Sequence, residues 1–429
     1  AGSAVGLGNL WRFPYLAEQY GGGIFLLVYL ILVVVCGVSL MITELAIGRR
    51  TGKSCIDAFL DLGERNKYVG WFIALIPIII LPYYCVIGGW VTKYMVAYIT
   101  NGPAALADGG TFFTGFISSN VESYVWMLIF MALVFFVVAL GVQGGIEKAN
   151  RIMMPALIVM AVAIAIFTMT MPGALDGVAY YLVPDFSKFS PDLVINALGQ
   201  MFYSLSLAMG IMVTYGSYMR RKDSLPNSVA SIAGFDFGVS FLAGLMIVPA
   251  AYVAMGSAEA VAAKAGPSLM FITLPEVFNS MSPTIGTIIG FVFFLLVLFA
   301  ALTSAISLTE SLVSIVADGT GLSRRLSLII CMVFIVVVGF FYIKAENFAP
   351  FIPPSEPAAS TDGSGVSAVM EQPLWQWATG MAPSIYGVTG IISGAALVFF
   401  AFLGFDVVAT ASEETINPKK NVPLGIGVG

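Results

Sequence analysis

Long apolar blocks alternate with short polar stretches along the whole chain, and the blocks are solid, not striped. Predominantly apolar runs cover Ile24 to Ile47, Trp71 to Ile99, Tyr124 to Leu140, Met153 to Met171, Gly234 to Met255 and Ile285 to Val316. A helix needs roughly 20 apolar residues to cross a hydrocarbon core, and each run meets that length. A soluble amphipathic helix would return a polar face every turn. The pattern therefore predicts an all-α polytopic membrane protein with about ten segments. An incomplete first segment covers 1–20, followed by 24–47, 70–99, 124–142, 150–171, 194–218, 230–255, 285–316, 326–344 and 384–408. The polar connections include 48–68, with RRTGK and LGERNK, and the Gly-rich 101–123. The semi-polar 258–283 reads as a re-entrant hairpin, and the Pro-, Ser- and Gly-rich 345–383 as a flexible connection.

Composition reinforces this reading. Of 429 residues, 59% are hydrophobic and 10% charged, where a soluble chain carries about a quarter charged. Charge placement adds orientation. With alternating spans starting from the cytoplasm, the inside loops hold Arg49, Arg50, Lys53, Arg65, Lys67, Lys148, Arg151, Arg220, Arg221, Lys222, Arg324, Arg325, Lys419 and Lys420. The outside loops hold only Lys188, Lys264 and Lys344. This positive-inside bias predicts a multi-pass protein of the inner (plasma) membrane with its N-terminus in the cytoplasm. The net charge of −5 is small, and no basic tract points to nucleic acid. Cys36, Cys55, Cys85 and Cys331 show no metal spacing, and the absence of histidine removes the commonest metal ligand and general base. No paired carboxylates stand out either, so an enzyme is not expected. The opening without Met inside an apolar stretch, and the ending PLGIGVG, read as truncation at both ends.

Two segments are interrupted. The first carries Gly2, Gly6 and Gly8 with Ser3 and Asn9; the sixth carries Ser204, Ser206 and Gly210 in YSLSLAMG. Backbone groups freed by a break cannot stay unsatisfied in lipid, so they must line a cavity or bind something. Either break alone reads more readily as a kink or a close helix contact. Breaks at corresponding places, first and sixth, point to five-plus-five inverted repeats with a midplane site. Polar groups inside spans are costly and mark function. They include Asn9, Arg12, Tyr83, Tyr84, Ser204, Ser206, Asp236, Thr303 and Ser304. The serines and threonines could simply bond the carbonyl one turn back. Asp236 is harder to dismiss, because a lone buried carboxylate needs a cation or a proton. Carboxylate, amide, hydroxyl and carbonyl oxygens are hard ligands that suit sodium. Freed amides at a helix break suit a carboxylate. Glu44 and Glu310 are read as structural, and Lys93 as snorkelling to an interface.

AVGLGNLWRFPYLAEQYGGGIF, MITELAIGR, PYYCVIGGW, QMFYSLSLAMGIMVTYGSYM, FITLPEVF and LTSAISLTESLVS resemble the neurotransmitter:sodium symporter family, in its bacterial hydrophobic amino acid transporter form. The resemblance covers residues 1–323. It implies a LeuT-type inverted-repeat fold with discontinuous first and sixth helices, and two sodium sites. The first site would use the Ala4 carbonyl, Asn9, Ser204, Asp236 and the substrate carboxylate. The second would use the carbonyls of Gly2, Val5 and Ala300 with the hydroxyls of Thr303 and Ser304. The substrate carboxylate would meet the Gly6 amide region and Tyr84, and its amino group the carbonyls near Ala4, Tyr203 and Ser206. Ile80, Tyr84, Tyr203, Ser206, Met209, Ser304 and Leu308 would line the side-chain pocket. Arg12 would belong to the outer gate, with Tyr203 as lid. Chloride-dependent relatives carry a serine near Ser240, but Asp236 lies one turn away and supplies a negative charge, so chloride is not expected to be required. The implied function is sodium-coupled symport of neutral hydrophobic or aromatic L-amino acids by alternating access.

Residues 324–429 carry RRLSLIICMVFIVVVGFFYIKAENFAPFIPPSEP and FFAFLGFDVVATASEETINPKKNVP, which resemble cationic amino acid transporters of the amino acid–polyamine–organocation family. The chain thus divides into an eight-span region, 1–323, and a two-span region, 324–429. Two further readings stay open: a sodium-independent or proton-coupled cationic amino acid carrier, or a chimera that binds substrate without transporting it. In the tail, Asp406 and Glu413 are the acids in or bordering the last apolar segment, and the charge bias puts both toward the cytoplasm, away from Arg12.

Overall fold

A computed structural model describes residues 5–106, 108–257, 269–279 and 281–342. Gly2 and Ala4, residues 258–268 of the expected hairpin, the connection 345–383 and the segment 384–408 lie outside them.

Among the described residues every regular element is helical, and the one strand-like feature is an isolated bridge between Gly22 and Pro184. A π turn, Gly8–Arg12, leads into α1 (Phe13–Gln19). Next come α2 (Gly23–Thr51), α3 (Cys55–Leu62) and α4 (Lys67–Thr100). A short outer helix, α5 (Gly109–Ser118), precedes α6 (Asn120–Ala139), α7 (Lys148–Met169) and α8 (Ala174–Leu182). The sixth segment is split into α9 (Pro191–Ser204) and α10 (Ile211–Tyr218). The rest are α11 (Leu225–Met255), α12 (Leu274–Asn279), α13 (Pro283–Thr320) and α14 (Arg324–Tyr342). Among the described residues six helices are long and apolar enough to cross a membrane.

Local chemistry sets the ends. Ser190 and Ser224 cap α9 and α11 by accepting from the amides of Leu193 and Asn227. Asp108 caps α5, and hydrogen bonds from the Thr111 hydroxyl and amide hold its carboxyl below the usual carboxylate range. Glycines in left-handed conformation close α2, α11 and α13 at Gly52, Gly256 and Gly321.

The centre of the molecule is α4 packed along α13, with α10 against α2 and α11 against α7 and α8. Small residues permit the closest approach: a Cβ on Gly89 would lie 2.6 Å from the Met127 backbone nitrogen, so α4 and α6 meet nearly backbone to backbone. Large apolar side chains also face outward. Val34, Val35, Phe72, Phe136, Val159 and Val333 are all more than half exposed. In water this would be a severe liability, whereas hydrocarbon tails cover it at no cost. Lys93, partly buried, pairs at 2.6 Å with Glu122 in the first turn of α6 and lies within 6.0 Å of the Phe112, Phe116 and Trp126 rings. Helix α14 packs on α13, α4 and α6.

Candidate functional site

The sixth segment breaks where YSLSLAMG suggested. Helix α9 ends at Ser204, α10 starts at Ile211, and between them Ser206, Ala208 and Gly210 have φ of 55°, 63° and 71°. Two of these are not glycine, and such a conformation costs on the order of 1–3 kcal/mol each unless the surroundings enforce it. Glu44 supplies part of that enforcement: its Oε1 accepts the Ala208 amide at 2.7 Å from α2. The structural role expected of Glu44 is therefore to hold the unwound strand. In the first segment Val5 and Gly6 are non-helical and helix begins at Leu7.

The two breaks face each other across a small cavity of about 20 Å³. Its walls are Gly6, Gly8, Asn9, Ile80, Tyr84, Tyr203, Ser204, Ser206, Met209, Ile211, Ser304 and Leu308. Every substrate-pocket residue expected from the sequence lines it, apart from Ala4, which is outside the described residues. Gly8 and Ile211 are additions. Gly8 is recognisable afterwards by its place within GLGN: a Cβ there would lie 2.8 Å from the Tyr203 ring. At Gly6 a Cβ would overlap the Ser304 hydroxyl. The Tyr84 hydroxyl accepts the Leu7 amide at 3.2 Å, so it stands at the mouth of the freed amides of the first break. The cavity wall is apolar at Ile80, Met209, Ile211 and Leu308, polar along Tyr84, Ser206 and Ser304, and among the described residues carries no ionised side chain.

One polar cluster closes the side of the cavity near Asn9. The two hydrogens of Asn9 Nδ2 are shared among four oxygens within reach: Asp236 Oδ1 and Ser240 Oγ, both at 2.8 Å, Ser204 Oγ at 3.0 Å and the Asp236 carbonyl at 3.2 Å. Asn9 Oδ1 accepts the Gly6 amide at 2.9 Å. Ser204 donates to Asp236 Oδ1, and Tyr29 donates to Asp236 Oδ2 at 2.7 Å. Asp236 and Asn9 are fully buried. The carboxylate is thus not alone: three neutral donors share its charge, the arrangement a buried carboxylate requires. Tyr29 was missed from sequence. Its signal is modest, a single phenol in the aliphatic run GIFLLVYLIL.

A second cluster joins the first break to α13. Thr303 Oγ1 donates to the Val5 carbonyl at 2.8 Å and to the Ala300 carbonyl at 2.9 Å, and Ser304 Oγ to the Val5 carbonyl at 3.4 Å. The single Thr303 hydroxyl proton is thus shared between a carbonyl one turn back and one in the first segment. Two carbonyls and two hydroxyls converge here from opposite ends of the sequence, and all are hard oxygens that suit an alkali cation.

Above the cavity, the Arg12 guanidinium lies 5.7 Å from the Tyr203 ring centre and donates to the Gly199 carbonyl at 3.2 Å. Among the described residues no carboxylate forms an ion pair with it. At the opposite end, buried Glu310 takes both guanidinium arms of Arg324, at 2.5 and 2.6 Å, and the Tyr218 hydroxyl at 2.7 Å. This ties α13, α10 and the first residue of α14 together.

A sequence model described as SNF, Sodium:neurotransmitter symporter family, matches residues 1–105 and 117–352. The match runs past residue 323, where the recognisable motifs stop, and takes in α14. The chain is 37% identical over 329 residues to an uncharacterized sodium-dependent transporter, YhdH, of Bacillus subtilis, covering 76% of this chain and 71% of that protein. It is 32% identical over 419 residues to an uncharacterized sodium-dependent transporter of Haemophilus influenzae, covering 94% and 84%. The crystal structure of MhsT in complex with L-phenylalanine superposes with a TM-score of 0.73 at 38% identity, over 80% of this chain and 78% of that one.

Proposed function

The chain belongs to the Sodium:neurotransmitter symporter family, which makes it a multi-pass, sodium-coupled membrane transporter, and from that premise we propose that its cargo is a neutral L-amino acid with an apolar or aromatic side chain. The observation that carries this reading is the cavity between the two breaks. Ile80, Met209, Ile211 and Leu308 give it an apolar side, and among the described residues no ionised side chain in its wall could pair with a lysine or arginine substrate. Met209 would adapt the pocket to several apolar shapes. The similar transporter MhsT has been solved with L-phenylalanine, which supports the aromatic end of the range.

In this reading the substrate carboxylate meets the Gly6–Leu7 amides and the Tyr84 hydroxyl. The amino group meets carbonyls at the breaks, near Ala4, Tyr203 and Ser206. Two sodium ions travel as co-substrates. One sits among Ala4, Asn9, Ser204, Asp236 and the substrate carboxylate, so substrate and ion complete each other's shell. The other sits among the carbonyls of Gly2, Val5 and Ala300 and the hydroxyls of Thr303 and Ser304. At that site sodium takes over the carbonyl lone pairs that Thr303 and Ser304 now satisfy, and the hydroxyls turn their own lone pairs to the ion. Because those oxygens belong to the first segment and to α13, the ion fixes one against the other. Arg12 and Tyr203 close the outer side. The Asp236 charge beside Ser240 removes the need for chloride. The charge bias of the loops supports a cytoplasmic N-terminus in the inner (plasma) membrane.

The test is uptake of labelled phenylalanine, tryptophan, leucine and lysine into proteoliposomes, with an inward gradient of sodium or of choline. Sodium-driven uptake of the first three, indifferent to replacing chloride by gluconate, is expected. Equal uptake in choline, or lysine as the preferred cargo, would sink the reading.

A further inference from the structure

One buried acid is not used by the transport site. Among the described residues four carboxyl side chains are buried, and three of them have partners. Asp236 receives Asn9, Ser204 and Tyr29, Glu44 accepts the Ala208 amide, and Glu310 pairs with Arg324. Glu18 is the fourth. It is fully buried in the last turn of α1, and no protein group donates to either of its carboxyl oxygens. The ionisable groups on the elements around α1 are engaged elsewhere or turned away. Asp236 and Tyr29 bond each other, Glu44 holds Ala208, and Arg12 lies over the Tyr203 ring. Tyr181 donates to the Phe241 carbonyl, Lys188 sits 5.3 Å from the Tyr180 ring centre, and Asp176 and Asp192 are exposed. Neither these nor Tyr252 of α11 bonds the Glu18 carboxyl.

The chain around Glu18 is pressed into a seal. The Tyr180 hydroxyl of α8 donates to the Glu18 carbonyl at 2.7 Å. A Cβ on Gly22 would overlap the Tyr180 carbonyl, one on Gly23 would lie 2.5 Å from the Val183 carbonyl oxygen, and Gly22 bridges to Pro184. From α9, Asn196 donates to the Tyr20 hydroxyl at 2.7 Å. Water stands just beyond, because the next residue, Gln19, is exposed. A carboxylate held inside such a seal without donor or countercharge is strongly disfavoured, and the carbonyl end of α1 disfavours it further. A single water would donate a hydrogen bond and leave the charge uncompensated. The neutral acid escapes all three costs. The plain reading is that Glu18 is an inert neutral acid, which holds only if the seal never parts.

We propose that Glu18 is a proton-binding site governed by the seal between the end of the first segment and α8. While the seal is closed, the proton stays on the carboxyl as a covalent O–H. When it parts, water reaches the carboxyl, the O–H bond breaks, and the proton passes to water while its electron pair stays on the hydrated carboxylate. Closing the seal takes one proton back. Acid therefore favours the sealed form, and that advantage is lost as rising pH strips the proton from the sealed acid. The chain has no histidine, so no side chain of ordinary proton affinity changes charge near neutral pH and obscures the event.

The experiment is infrared difference spectroscopy of the full chain in nanodiscs, titrated from mildly acid to alkaline pH. At neutral pH the parent is expected to show a protonated-carboxyl C=O band, sensitive to deuterium oxide, that Glu18→Gln lacks. Glu18→Asp, which keeps the acid and moves the band, makes the same assignment should the glutamine variant not fold. Tyr180→Phe removes the hydroxyl that holds the Glu18 carbonyl and leaves the carboxyl itself untouched. Its band should disappear about one pH unit lower, a roughly tenfold weaker hold on the proton. A purely structural acid would not respond to that change. No band in the parent at neutral pH, a band that neither Glu18 variant alters, or the same titration in the parent and Tyr180→Phe would each overturn the proposal. Neither sodium nor cargo enters the measurement, so its outcome stands apart from the reading of the transport site.

Discussion

At the scale of single residues, the site is held together by short polar contacts that each have a measurable consequence. Thr303 serves two carbonyls that a sodium ion would claim. Thr303→Ala removes a ligand and leaves the Val5 carbonyl with only the long Ser304 contact, so the sodium concentration for half-maximal uptake should rise on the order of tenfold. Sodium titration of uptake at fixed phenylalanine checks it; an unchanged midpoint would remove Thr303 from the ion site. Asp236 receives Asn9, Ser204 and Tyr29. Asp236→Ala strands all three donors in a fully buried place. It should abolish sodium-dependent binding and cost about 3 kcal/mol of stability, read as a lower unfolding temperature in detergent. At Gly6 the constraint is space: Gly6→Ala pushes a methyl into the Ser304 hydroxyl, and substrate binding should be lost while the fold, followed by circular dichroism, persists.

At the scale of elements, the broken sixth segment matters most, and it was legible because glycine and serine inside an apolar run have few structural explanations. What holds the break open was not legible. Glu44 lies more than 150 residues away in α2, and only packing brings its carboxylate to the Ala208 amide. Glu44→Leu should free that amide in a buried place and let Ser206 and Ala208 relax from their left-handed conformations. Substrate affinity is then expected to fall at least tenfold, with sodium and substrate losing their mutual dependence in equilibrium binding. An unaltered affinity would mean that the loop holds its shape unaided. Helix α14 teaches a related lesson. Its run RRLSLIICMVFIVVVGFFY is aliphatic with little distinctive spacing. Resemblance by motif gave out there, although the family match continues to residue 352.

At the scale of the whole molecule, Glu310 and Arg324 tie the end of the eighth long apolar segment to the ninth, with Tyr218 of the broken sixth segment as third member. Glu310 is fully buried, and breaking such a pair from one side costs about 3 kcal/mol because a charge is left uncompensated. Arg324→Gln should therefore lower the unfolding temperature clearly, whereas Arg324→Gln with Glu310→Gln should recover most of the loss. Equal losses in the single and double variants would make the contact a matter of shape and not of charge.

Read without coordinates, the chain already declares that it spans a membrane as helices and that two of those helices break, and it shows which residue types would meet at the breaks. These are local properties: hydropathy over a turn or two, glycine and serine where a helix needs side-chain bulk, and a few polar atoms that lipid does not tolerate. Which polar atoms share a partner was settled by packing alone. Tyr29 reaching Asp236, Glu44 reaching Ala208 and Arg324 reaching Glu310 each join different helices. No local rule orders those meetings; they arise from how the helices pack, since buried charge and unpaired backbone must find partners in three dimensions wherever the chain happens to bring them.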